Sequence, residues 1–156
     1  MTTTEPTTTA TPPEVMDEVM ARHFAFEMAD DVDGVLTTLA PDACHDIVGA
    51  PDGPTVGLAD TRPTYEQVFA DLAGERVETL HRYYGANSLT DESLWIGRAP
   101  GRPLGFDGGN RPLQFRILHV MTFADDGLIV RENVWLDYPS ITAQLSTDLH
   151  QEGTQQ

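Results

Sequence analysis

His119 lies in the run Phe115-Arg116-Ile117-Leu118-His119-Val120-Met121-Thr122-Phe123. Side chains on a strand alternate between faces, so Phe115, Ile117, His119, Met121 and Phe123 share one face. A single titratable group stands there among apolar neighbours, a common way to build a small acid–base site on a rigid element. His119 is therefore the first candidate for general acid or base, with Phe115 and Met121 as apolar contacts for a substrate. A histidine so placed can equally be a core residue bonded to a backbone carbonyl. On the next run, Leu128 to Asp137, the residues Asn133, Trp135 and Asp137 share a face in the same way. Asp137 could orient an imidazole and balance its charge, or cap the helix beginning at Ser140-Ile141. Trp135 suits a pocket wall that stacks on a planar ring, with Asn133 beside it.

Further polar candidates come from earlier segments. His81 and Tyr83 lie two residues apart, with Gly85 and Asn87 of the same parity. An imidazole and a phenol could hold a substrate carbonyl or enolate oxygen, or simply pair across strands in solvent. His45 is a second pocket histidine on a short strand. His23 falls on the apolar side of the first helix, where it lines or edges a cavity. His45, His81 and His119 on neighbouring strands could converge on zinc or iron, but no short ligand spacing such as His-x-x-x-His exists. We expect no metal. No Gly-x-Gly-x-x-Gly opens a helix after a strand, so no nucleotide cofactor is expected either.

These groups must be positioned by a chain of 156 residues, the size of one domain. Residues 1–13 are rich in Thr and Pro and read as a disordered leader, 14–147 as the domain, and 148–156 as a flexible tail. Helical spacing of Val15, Met16, Val19, Met20, His23 and Phe26 predicts a helix over 14–29, and a second, short one covers 31–39. A strand at 44–48 and a Gly/Pro loop at 49–62 follow. Thr64 and Gln67 form a capping-box pattern that opens a third helix. From Val77 the chain reads as strand: 77–89, 93–98, then a hairpin over 115–137 around Asp126-Gly127. A last helical turn spans Ser140 to Leu145. Between Gly97 and Pro112 lie five glycines and three prolines, a run too long for a tight hairpin and expected to rim a pocket. Helices first and strands after give an α+β fold, a curved antiparallel sheet wrapped on helices around one internal pocket.

Composition narrows the partners. The net charge is −16, and all nine basic residues are arginine. So acidic a surface repels phosphates, arguing against nucleic acid and anionic membranes. No run reaches transmembrane length. Cys44 is alone, which excludes an intramolecular disulfide and a thiolate metal site. No secretory signal is apparent, so a cytoplasmic protein is the default expectation.

The residues Phe115-Arg116-x-x-His119-Val120-x-x-Phe123, followed by Asp126-Gly127-x-Ile129-Val130-x-Glu132-x-x-Trp135-x-Asp137, resemble the nuclear-transport-factor-2-like superfamily, in particular the SnoaL-like polyketide cyclases. The tail Asn133 to Tyr138 with Gln144-Leu145 also fits, and the resemblance covers about residues 14–147. It implies a cone-shaped α+β barrel and a homodimer formed through the outer sheet face. It also implies a cofactor-independent cyclase, isomerase or lyase of secondary metabolism, acting on a polyketide-like hydrophobic molecule by aldol-type or enolisation chemistry. In the cyclases a pocket-facing acidic residue moves the proton; the matching position here is His119, a change of residue type that still suits acid–base work near neutral pH. The epoxide hydrolases of the superfamily use an Asp-Arg-Asp arrangement, of which Arg116 and Asp137 are present. The isomerases use a tyrosine and two acids, and Tyr83 with Asp137 supplies part of that set. A non-enzymatic binding module of the same fold is the remaining alternative.

Overall fold

The computed structural model describes residues 10–146. Helix α1 spans Pro13–Met28 and starts at a proline, whose missing N–H costs nothing at that position. Its buried stripe is Met16, Val19, Met20 and His23. Helix α2, Val32–Leu36, is capped by the Asp31 carboxylate, which accepts from the Gly34 N–H. Strand β1, Leu39–Ile47, and a two-residue β2, Thr55–Val56, precede helix α3, Leu58–Asp71. Then come β3 (Ala73–Gly85), β4 (Ser88–Ala99), a 3₁₀ turn (Pro103–Gly105), β5 (Arg111–Phe123), β6 (Ile129–Leu136) and helix α4 (Tyr138–Leu145).

The strands form one curved six-stranded sheet in the order β2-β1-β6-β5-β4-β3. All described pairings are antiparallel except that of β1 with β6, which is parallel. The result is the expected α+β cone. One apolar cluster joins α1 and α2 to Leu39, Tyr65, Leu89, Met121, Phe123 and Ile129. A second joins Trp95, Leu113 and Phe115 to Ile141 and Leu145 of α4. A cavity of about 90 Å³ lies between them, touching Tyr65 on one side and Trp95 and Phe115 on the other.

Several boundaries differ from those expected. The segment 77–89 is not one strand: Asn87, at φ 55°, turns the chain between β3 and β4, and asparagine is among the few residues that tolerate that region. Helix α3 begins six residues before Thr64 and carries Pro63 inside it. The end of the expected leader is ordered, because Thr11 is buried and its N–H bonds the Asn87 side-chain oxygen. Residues 1–9, the rest of that leader, and residues 147–156, which include the expected tail 148–156, lie outside the described residues. The Gly/Pro stretch before β5 is tied to the end of α3: the Asp71 carboxylate accepts from the Arg102 N–H, and the Asp71 carbonyl from the Gly101 N–H.

Candidate active site

The inner face of β5 carries Phe115, Ile117 and His119 into the cavity wall, as strand parity implied. His119 is buried, and its ring packs 5.1 Å from that of Phe24. Its Nδ1 has no hydrogen-bond partner among the described residues. Burial pushes its pKa below the ordinary value, and the charges of Glu27 and Glu132 do not make up the loss. His119 is thus held as a neutral imidazole, the form that accepts a proton.

Parity on β6 is opposite to the one read from the sequence. Glu132 and Val134 are buried and, with Leu136, line the cavity; Asn133 and Trp135 face outward. Trp135 is 40% exposed, and Asn133 bonds Asp46 and Arg131 on the outer surface. Asp137 does not reach His119. Its carboxylate accepts from the Ser140 N–H at 3.2 Å and caps α4. Met121 is buried in the core, opposite Glu132 across β5 and β6 rather than in the cavity wall.

Strand β3 departs for a different reason. Val77 and Thr79 pair with Trp95 and Ser93, but a bulge at Leu80 shifts the register, so Arg82, not His81, pairs with the buried Asp91. One extra residue exchanges the faces beyond it. His81 and Tyr83 therefore stand exposed outside, their ring centroids 6.4 Å apart. Asn87 is spent on the turn. The trio His45, His81 and His119 does not converge on a common point.

What does converge is a buried cluster around Glu132. The Tyr65 hydroxyl donates to Glu132 Oε2 at 2.7 Å, and His45 Nε2 lies 4.0 Å from the same oxygen. His23 Nε2 is 3.4 Å from Glu132 Oε1 and 3.3 Å from Glu27 Oε1, and its Nδ1 meets the Thr38 hydroxyl at 2.7 Å. His23 and Glu132 are 0% and 1% exposed. Burial alone would lower the His23 pKa, but the carboxylates of Glu132 and then Glu27 outweigh it, raising it from 6.5 to about 10. Burial would likewise raise the Glu132 pKa, but the His23 charge outweighs it and holds the carboxyl well below the usual range. Burial, then the Glu132 charge, pushes Tyr65 well above its ordinary value. The site is an ionised carboxylate, a locked phenol and a neutral imidazole around a small apolar space. It opens past His45, Ile47, Val68, Leu72 and Leu136 into a cleft of about 750 Å³, bordered by residues 102–105 and Tyr138.

Sequence reasoning missed Glu132, Tyr65 and Glu27. The signal for Glu132 was present: Val130, Glu132, Val134 and Leu136 share a parity that is apolar but for one acid, the pattern that singled out His119. Glu27 stands four residues after His23, on the same helix face.

Comparison with known proteins agrees with this architecture. A family model described as a SnoaL-like domain matches residues 20–132. Among curated proteins no sequence matches. A Jannaschia sp. CCS1 structure provisionally named a SnoaL-like polyketide cyclase superposes with a TM-score of 0.75 at 13% identity, covering 94% of this chain and 98% of that one. A provisionally named isomerase from Bacillus subtilis gives 0.71 at 15% identity, over 83% and 91% of the two chains. An LEH-like epoxide hydrolase from M. tuberculosis gives 0.65 at 16%, over 86% and 91%. At such identities the likeness is one of fold.

Proposed function

The chain belongs to the SnoaL-like domain family, and on that premise we propose that it is an acid–base cyclase or isomerase of a hydrophobic, polyketide-like small molecule. The observation that carries this reading is the neutral imidazole of His119 in an apolar cavity, its Nδ1 without a hydrogen-bond partner among the described residues. A substrate carbonyl arm enters the inner space while the apolar remainder lies in the outer cleft. His119 takes the proton beside the carbonyl, and the carboxylates of Glu27 and Glu132 offset part of the burial cost of the imidazolium so formed. His45 lines both spaces, and in this reading it donates to the enolate oxygen. Closure onto a second carbonyl gives an aldol-type ring; reprotonation elsewhere gives a double-bond shift.

A second reading has its own support. Glu132 is held ionised and faces the cavity, so it could activate a water to open an epoxide, the chemistry named for the M. tuberculosis neighbour. One experiment separates the readings. Hydrogen–deuterium exchange at the acidic carbons of hydrophobic 1,3-diketones, followed by NMR, should be catalysed by the wild type and lost in His119→Gln. Absence of exchange together with turnover of an epoxide panel would favour the carboxylate reading. Ligand retention with neither activity would leave a binding module.

We further propose that the protein is a homodimer joined through the outer sheet face, where Tyr83, Leu80 and Trp135 leave apolar surface uncovered.

A further inference from the structure

We propose that His23, Glu27 and Glu132 form a binding site for a single divalent transition-metal ion of the zinc type. This goes beyond the acid–base reading and does not depend on it. The potential ligand atoms of the three residues all lie within 4.8 Å of one another. His23 Nε2 is 3.3 Å from Glu27 Oε1 and 3.4 Å from Glu132 Oε1. With metal–nitrogen and metal–oxygen bonds near 2.1 Å, the ligand atoms of a tetrahedral ion are about 3.4 Å apart, so those two edges already have the right length. His23 and Glu27 reach the point from one face of α1, and Glu132 from β6.

The second observation concerns unmet polar atoms. His23 Nε2 and Glu132 Oε1 are both fully buried, yet neither makes an aligned hydrogen bond with any described residue. They are close enough to attract as charges but are poorly directed to share a proton. Such atoms are rare and call for an occupant. Their outer contacts are those of metal ligands. The Thr38 hydroxyl donates to the Val35 carbonyl and so accepts from His23 Nδ1–H, leaving Nε2 to face the cluster. The Tyr65 hydroxyl engages Glu132 Oε2 and leaves Oε1 inward. Supporting bonds of this kind orient ligands and fix the tautomer. One nitrogen with two carboxylate oxygens suits a borderline ion better than magnesium or calcium, which take oxygen alone. Glu27 and Glu132 also line the cavity, so a fourth position would open towards the space where His119 stands, as in sites with three protein ligands.

The test uses the full chain, stripped with a chelator and dialysed against zinc chloride. Bound zinc is counted by elemental analysis, and cobalt is substituted to record its ligand-field bands. The wild type should retain one zinc per chain, melt at a higher temperature with zinc, and give cobalt bands of a four-coordinate centre. Glu27→Gln alters the least buried of the three groups and should fold. It should weaken zinc binding at least tenfold and remove the cobalt bands. His81→Gln, at an exposed histidine outside the site, should change neither. Absence of stoichiometric zinc in the wild type would overturn the proposal, as would zinc binding that survives Glu27→Gln or is lost in His81→Gln.

Discussion

At the scale of single residues, His119 and Asp137 now separate cleanly. Glutamine at 119 keeps size and hydrogen bonding but cannot titrate, so His119→Gln should cost turnover on the order of 10²–10⁴ while the protein stays folded. Asp137→Asn should leave turnover near the wild-type value, because Asp137 caps α4 and does not touch the cavity. Steady-state rates of the two variants on one diketone check both, and a crippled Asp137→Asn enzyme would contradict the assignment. The pH dependence follows from the same group. A base whose pKa is lowered stays deprotonated to lower pH, so the acid limb of the rate profile should have its midpoint below 6.5. A midpoint at or above 6.5 would place the titrating group elsewhere.

At the scale of elements, the Leu80 bulge decides what β3 contributes. Leu80 is the extra residue; those before and after it already face the correct sides. Deleting Leu80 should therefore leave the Arg82–Asp91 ion pair and the fold intact, with only a modest loss of melting temperature. Collapse of the circular dichroism spectrum would show that the bulge's twist is itself required. The same bulge explains why β5 could be read from its residues and β3 could not. Five alternating positions from Phe115 to Phe123 are apolar but for His119, and nothing interrupts the count, so the facing of His119 follows from spacing alone. On β3, Val77 and Thr79 predict an inward His81, and only the pairing with β4 reveals the added residue. On β6 the set Val130, Glu132, Val134 and Leu136 is apolar but for one acid, yet Trp135 on the other face competes with it as a pocket wall. Contact with α1 and α3, where His23 and Tyr65 meet Glu132, sets which face is inward. Asn87 was visible as a residue, but its turn was masked by strand formers on both sides. The order of helices before strands was enough for the α+β cone, since that follows from segregated elements rather than from exact boundaries.

At the scale of the molecule, the buried ion pairs should shape stability against pH in the metal-free protein. His23 has a raised pKa, so its contribution is complete below 6.5 and is lost as pH climbs towards about 10. Glu132 has a lowered pKa, so its contribution is complete above 4.5 and is lost as pH falls through the lower folded value. His119 works the other way below 6.5, because its neutral form is the buried one, and it holds the optimum near that value. Thermal melts should show Glu132→Gln strongly destabilised near pH 6, on the order of 3–5 kcal/mol, since the His23 cation loses its main partner. The gap to wild type should narrow towards pH 10. A gap independent of pH would mean that the loss is one of packing. Light scattering at tens of micromolar should give twice the chain mass, and Trp135→Arg on the outer face should halve it; a wild-type monomer would remove the dimer proposal. The parallel joining of β1 to β6 carries one more consequence. His45 of β1 stands beside Glu132 of β6 in that register, though most of the chain lies between them. On the ribosome, His23 and His45 emerge long before the acid that completes their cluster. The sheet cannot close until β6 has cleared the exit tunnel, and pairings so distant along the chain form slowly. Assembly of the site must therefore wait for β6, and a nascent chain stalled before residue 129 has an open seam on β1 and β5 and lacks the carboxylate of Glu132.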